Sequence, residues 1–284
     1  MFKNILVPLG DSKNTAQALT NACELAKIFQ SKVHCLYVAD MQKISSAFVA
    51  VQQLSDGVGL DIMYNPAAVE LSEKEVRMEE EFAESYFEQW TKKYPELEIE
   101  MEKTEGIVVD EILEREKDFD LLVMGKTLYD EEDITDKVSH ILKQVVHKSI
   151  LPVLVSTMEN QIGANLLACY DGKKPALKAL NVACEVAKKF DAPLYILTTD
   201  KIEKNARQIN NEAVIVARND GVKEVLPLVE PFNIVGAVQG TIDRNNINFL
   251  FMGAYGDNPI KDFILGSTTD FILNGTGCPT LLYR

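Results

Sequence analysis

No apolar run in this 284-residue chain reaches the roughly 18–20 residues that a membrane-spanning helix needs. The start, Met-Phe-Lys-Asn-Ile-Leu-Val-Pro, runs straight into a strand-like segment and has no signal-peptide pattern. Histidine is scarce: three residues in no cluster, which argues against a zinc site. His34 lies among apolar neighbours and is expected to pack. His140 and His147 are two helical turns apart, with nothing nearby to complete a metal site. The five cysteines (Cys23, Cys35, Cys169, Cys184, Cys278) form no C-x-x-C pair. Cys23 and Cys184 sit in helical segments with apolar neighbours, so buried free thiols and a reducing, cytoplasmic setting are expected. The G-x-S-x-G elbow of a serine hydrolase is missing. The acidic run Asp130–Asp133 lacks the glycine and closing glutamate of a calcium loop. There is no basic excess either. The net charge is −14, and all of it falls in residues 1–160, with 30 Asp/Glu against 16 Lys/Arg; residues 161–284 carry 13 of each. An acidic surface repels nucleic acid and anionic lipid, so neither is expected as a partner. The neutral second half carries no such penalty towards a polyphosphate.

What is present is an internal repeat. Ala22-Cys-Glu-Leu-Ala-Lys-Ile-Phe29 matches Ala183-Cys-Glu-Val-Ala-Lys-Lys-Phe190, at an offset of 161. Leu121-Leu-Val-Met-Gly125 matches Phe249-Leu-Phe-Met-Gly253, at an offset of 128. The smaller second offset means that the first half holds about 33 additional residues, and a repeat this long signals duplicated domains. Each half alternates strands and helices. Strands are expected near 3–9, 32–39, 97–104, 120–125 and 152–156, then near 164–170, 193–199, 222–229, 247–253 and 279–283. Helices are expected near 13–30, 69–93, 106–117 and 137–148, then near 174–190, 201–217, 232–245 and 267–275. Short, continuously apolar strands suit a parallel sheet covered by helices on both faces. The expected fold is therefore α/β: two doubly wound, parallel five-stranded sheets in tandem, at 1–157 and 163–284. The insertion at about 40–68 is polar and reads as a long loop with at most one short helix. After it, Met78, Phe82, Tyr86 and Trp90 recur every four residues beside seven glutamates between 70 and 84. That stripe is expected to pack on its own sheet, with docking to the other half or a partner as the alternative.

Residues 253–268 carry the functional signal. They read Gly253-Ala-Tyr-Gly256, nine residues, then Gly266-Ser267-Thr268, between a strand and a helix. Glycine admits close approach of a ligand to the main chain, and a helix start offers unpaired N–H groups and a positive dipole end to a phosphate. The spacing is neither the Walker A pattern nor the Rossmann G-x-G-x-x-G. The first strand of the second half ends in Ala168-Cys169-Tyr-Asp171-Gly172. Together these segments resemble the nucleotide site of the universal stress protein family, in its ATP-binding branch, and the resemblance covers nearly the whole chain as a tandem pair.

That resemblance implies an adenine nucleotide-binding, Rossmann-like fold of the adenine nucleotide α-hydrolase type. It implies that Asp171, with Cys169 beside it, lies by the adenine and ribose, and that the backbone at Thr198 meets the base. Gly253 and Gly256, with Met252 before them, would approach ribose and phosphate, and Gly266, Ser267 and Thr268 would hold phosphates. The implied ligand is ATP or another adenine nucleotide, alone or with Mg2+. The first half departs from the pattern: Gly10 stands at the Asp171 position with Asp11 one residue on, Leu128 replaces Gly256, Val138 replaces Gly266, and His140 replaces Thr268. A β-branched valine resists positive φ and its Cβ blocks close approach. Tyr129-Asp-Glu-Glu-Asp133 adds carboxylates beside the same position. The first half is thus expected to be a structural partner with a degenerate site. No general acid or base stands out, so any hydrolysis would be slow and lean on Mg2+ and loop electrostatics. A sensor or regulator of stress is the favoured function; a slow ATP hydrolase and an interaction module with vestigial sites are the alternatives. The two terminal strands, 152–156 and 279–283, are expected to cover one another as an internal pseudo-dimer, with a further homodimer open.

Overall fold

A computed structural model describes residues 1–10, 13–48, 50–53, 60–63, 66–127, 138–157, 161–230, 233–254 and 267–284. In the first half the order is β1 (Asn4–Leu9), α1 (Lys13–Phe29), β2 (Lys32–Asp40), α2 (Met41–Phe48), β3 (Ala50–Gln53), β4 (Leu60–Met63), α3 (Pro66–Lys93), β5 (Ile99–Gly106), α4 (Val108–Arg115), β6 (Leu121–Gly125), α5 (His140–Lys148) and β7 (Val153–Ser156). The second half follows with β8 (Leu166–Cys169), α6 (Lys174–Phe190), β9 (Leu194–Thr199), α7 (Glu203–Asn219), β10 (Val225–Glu230), α8 (Ile234–Asn245), β11 (Phe249–Gly253), α9 (Ser267–Gly275) and β12 (Thr280–Tyr283).

The strands of both halves form one sheet of ten, in the order β10-β9-β8-β11-β12-β7-β6-β1-β2-β5. Every neighbouring pair is parallel except the central one. There β12 runs antiparallel to β7, with Thr280 opposite Val155, Leu281 opposite Leu154 and Leu282 opposite Val153. The two expected five-stranded sheets are therefore continuous, joined by the two terminal strands. Successive residues of a strand point to opposite faces. Ile5, Val7 and Leu9 accordingly enter one core layer and Leu6 the other; Leu121 and Val123 are likewise split from Leu122 and Met124. This alternation is why inner strands such as β6 and β11 are apolar without interruption. Each layer draws side chains from both halves, so the seam is as well buried as the rest.

The joined sheet ends at β5 and β10. Edge strands invite unwanted pairing. β5 carries Glu100, Glu102, Lys103 and Glu105, and β10 carries Pro227, which has no N–H to offer.

Two expectations change. The insertion holds more regular structure than a loop: α2 follows β2 directly, and β3 and β4 form an antiparallel hairpin. Helix α3 then starts at Pro66, a residue whose fixed φ and missing N–H suit a first helical turn. The aromatic stripe of α3 does not lie on one face. Trp90 is buried, and its Nε1 donates to Thr20 Oγ1 at 3.3 Å. Tyr86 packs edge-on against it at 5.9 Å, but Met78 and Phe82 are exposed. Four residues turn about 400°, so each step overshoots a full turn by about 40° and the stripe drifts off the packing face. Val76, Ala83 and Trp90, at sevens, hold that face, and Tyr37 Oη pins it by donating to the Val76 carbonyl at 2.8 Å.

Candidate functional site

The winding reverses at β8. Helix α6, leading from β8 to β9, packs in one core layer, while α8, leading into β11, places Val238 in the other. Such a switch point opens a crevice at the carboxyl ends of β8 and β11, the usual ligand position in doubly wound sheets. The register sets Cys169 of β8 level with Met252 of β11 on one side and Leu197 of β9 on the other. Cys169, Asp171, Thr198, Met252 and Gly253 thus gather at one edge of the sheet. Thr268 lies in the first turn of α9. Gly256 and Gly266 fall outside the described residues, as do the side chain of Ser267 and, in the first half, Asp11, Leu128 and Tyr129–Asp133.

The side chains at this edge are not equally available. Asp171 is exposed, and its Oδ1 accepts the Lys173 N–H at 3.0 Å, with Gly172 between them at φ 80°. The same two-residue turn closes β2, where Asp40 accepts from Gln42, and β9, where Asp200 accepts from Ile202. Thr198 is buried, and its hydroxyl is committed: it donates to the Tyr170 carbonyl at 2.9 Å. Only its backbone remains for a ligand. Burial, and then the Asp171 carboxylate, push the Cys169 thiol up to about 12, so it is neutral at physiological pH. Gly253 has a packing reason to be glycine. A Cβ there would stand 2.6 Å from the Ala176 backbone nitrogen, because β11 ends tightly against the start of α6. Gly125 repeats this in the first half, where a Cβ would stand 2.6 Å from Asn14 Cβ.

Sequence reading missed Asn210. It is buried on α7, and its Nδ2 donates to the carbonyls of Ile196 at 2.8 Å and Leu228 at 3.1 Å and to Thr198 Oγ1 at 3.2 Å. Its Oδ1 has no partner among the described residues. Asn210 thus fixes the end of β9 from behind. The available signal is its place in the stripe Ala206, Asn210, Ala213, Ala217, one amide at an otherwise apolar helix position.

At the matching place in the first half, protein groups fill the positions. The Val138 N–H donates to Asn274 Oδ1 of α9, 3.0 Å away. Ser139 caps α5, its hydroxyl accepting the Leu142 N–H at 3.2 Å, and its own N–H donates to the Lys126 carbonyl at 3.0 Å. Val138 itself is buried in the core. The Gly10 N–H, where Asp171 stands in the other half, turns onto Thr15 Oγ1 at 3.3 Å.

Of the histidines, His34 packs edge-on against Phe119 at 5.0 Å, with Nδ1 3.5 Å from Glu100. The described residues hold no group of three side chains that could bind a metal. No helix among them is long and apolar enough to cross a membrane.

A tandem of doubly wound α/β halves, joined through their last strands and each with its switch point at the carboxyl edge, defines the class. The model of the universal stress protein family matches residues 1–156, more than half of the chain, and the chain belongs to that family. A universal stress protein of Synechocystis is 26% identical over 293 residues, spanning the whole of both chains. A putative universal stress protein of Staphylococcus aureus is 29% identical over 142 residues, 42% of this chain and 83% of the other. Among solved structures, a universal stress protein from Archaeoglobus fulgidus superposes with a TM-score of 0.72 at 18% identity, covering 99% of this chain and 98% of that one. A putative universal stress protein from Pseudomonas aeruginosa gives 0.65 at 13% identity, covering 99% and 93%. The two structural likenesses carry the tandem fold. The family match falls on the half whose loop departs most from a binding pattern, so it speaks for the scaffold and not for a ligand in either half.

Proposed function

We propose that this chain is a stress-response protein that binds ATP, or another adenine nucleotide, in residues 163–284, with residues 1–157 as its structural partner. The observation that carries this reading is the contrast between the halves. In the first, the Val138 N–H and the Ser139 hydroxyl are already engaged by protein atoms. In the second, Gly256, Gly266, Ser267 and Thr268 keep the residue types that leave backbone N–H and hydroxyl groups for a phosphate. Asp171, exposed at the end of β8, suits hydrogen bonds from ribose hydroxyls. The backbone of Thr198 is offered to the base, its side chain being occupied. Bound Mg2+ would offset phosphate charge. The residues present supply binding and no evident general base, which favours sensing over turnover.

Calorimetric titration of the full chain with Mg-ATP tests this. One site per chain is expected, and two equivalent sites would overturn the asymmetry. Gly266→Val, which copies the first half's residue, should weaken binding by about 3 kcal/mol or more, from backbone strain and lost phosphate contacts. Unchanged affinity in that variant would remove the loop from the site.

A further inference from the structure

Helix α9 is tied at both ends of its length to the half that is expected to bind nothing. Near its start, Asp270 meets Lys143 of α5, Nζ to Oδ1 2.9 Å, each side chain about a third exposed. At its last turn, Asn274 accepts the Val138 N–H. Just beyond, the Gly277 carbonyl accepts the Thr157 hydroxyl at 2.8 Å. These contacts bear on an anion at the start of α9. Asp270 lies in the first turn, one turn or less from Ser267 and Thr268. A bare carboxylate there would oppose a phosphate, since like charges at this range disfavour one another. Lys143 supplies the compensating charge, and it comes from the other half. Asn274 meanwhile sits where Val138, the counterpart of Gly266, would otherwise leave an N–H open. The first half's former loop thus takes a side-chain carbonyl of α9 in place of a ligand.

We infer that Lys143 and Asn274 are positioning residues for the phosphate end of the second half's site: the first half neutralises Asp270 and fixes α9 so that its opening turn can receive an anion. This rests on the nucleotide reading above and adds to it the role of the first half. Lys143 touches no ligand; it acts through Asp270. The coupling runs through one nine-residue helix. By reciprocity, a ligand held at the start of α9 must also tighten its grip on Val138.

The test titrates Mg-ATP into the full-length chain, its Lys143→Ala and Lys143→Ala/Asp270→Asn variants, and reads amide exchange at Val138 in the wild type with and without nucleotide. Lys143→Ala should weaken binding by about five- to tenfold, in the range of ordinary coupling between sites. Removing the carboxylate that Lys143→Ala leaves uncompensated, as the double variant does, should restore most of the affinity, a rescue that a general loss of stability would not give. Mg-ATP should slow exchange at Val138 at a stoichiometry of one. Wild type that binds Mg-ATP while Lys143→Ala binds equally well, or is weakened and not rescued, or while Val138 exchange stays unchanged, overturns the inference and leaves the nucleotide reading standing. Wild type that binds no Mg-ATP overturns both. If Lys143→Ala fails to fold, the Val138 exchange of the wild type decides alone.

Discussion

Glycine at a strand end means two different things in this chain. Gly253 and Gly125 are required by packing, since a Cβ would collide with backbone or Cβ atoms 2.6 Å away. Gly253→Ala should therefore destabilise the chain by about 1–3 kcal/mol, read from the urea midpoint, with no ligand present. Gly240, inside α8, is the control: a Cβ there meets nothing nearer than Arg244 at 3.8 Å, and Gly240→Ala should stabilise by about 0.5–1 kcal/mol. The thiols set an alkaline limit. Burial pushes Cys23, Cys169, Cys184 and Cys278 up from 9.0 to about 12. A raised folded pKa means that the native chain holds its protons after the unfolded chain has begun to lose them. The contribution to stability is therefore full below about pH 9 and is lost progressively towards pH 12. Unfolding free energies measured at pH 8 and pH 10 should fall in that order, and these four thiols should resist alkylation until the chain unfolds.

At the scale of the element, α3 separates periodicity from packing. Its aromatics recur at fours, its buried residues at sevens and their parts, and only the second spacing follows the core. Trp90→Ala should cost about 3–5 kcal/mol, because it empties a buried site and removes the hydrogen bond to Thr20. Phe82→Gln, at a position 47% exposed, should stay within about 0.5 kcal/mol in thermal unfolding. Equal losses in the two variants would mean that the stripe packs as a unit. Helix α9 shows the reverse case: short and plain in sequence, it is held by Lys143, Val138 and Thr157 from the other half.

The whole molecule depends on its central seam. Leu154 and Leu281 face each other across β7 and β12, both fully buried. A carboxylate at this position would be desolvated without a partner, so Leu281→Asp should part the two halves. Small-angle scattering should then show an extended two-lobed particle in place of the compact wild type. A profile identical to wild type would mean that the seam does not hold the halves together. Tandem connection explains why a strand pair of this length suffices, since the linker keeps the second half at high local concentration.

The order of strands and helices, the duplication and the strand ends that meet at the switch point were legible in the sequence because each rests on local pattern: continuous apolar runs, helical periodicity, and Asp-Gly or Met-Gly at strand ends. The family resemblance was legible for the same reason. The merging of two sheets into one was half legible, as a pair of apolar terminal strands in need of cover; the antiparallel register came only from the fold. The hairpin in the insertion was not legible, since its strands are four residues each, too short to show a clear alternation. Nor were the second lives of Gly253, Asn210 and Asn274. Gly253 is fixed by how close α6 lies, Asn210 by the carbonyls it faces, and Asn274 by an N–H 136 residues away. Sequence determines what each segment can form, because propensity and patterning act over a few residues. Which groups then meet across the molecule is decided by packing, and that is how Val138 of one half comes to be held by Asn274 of the other.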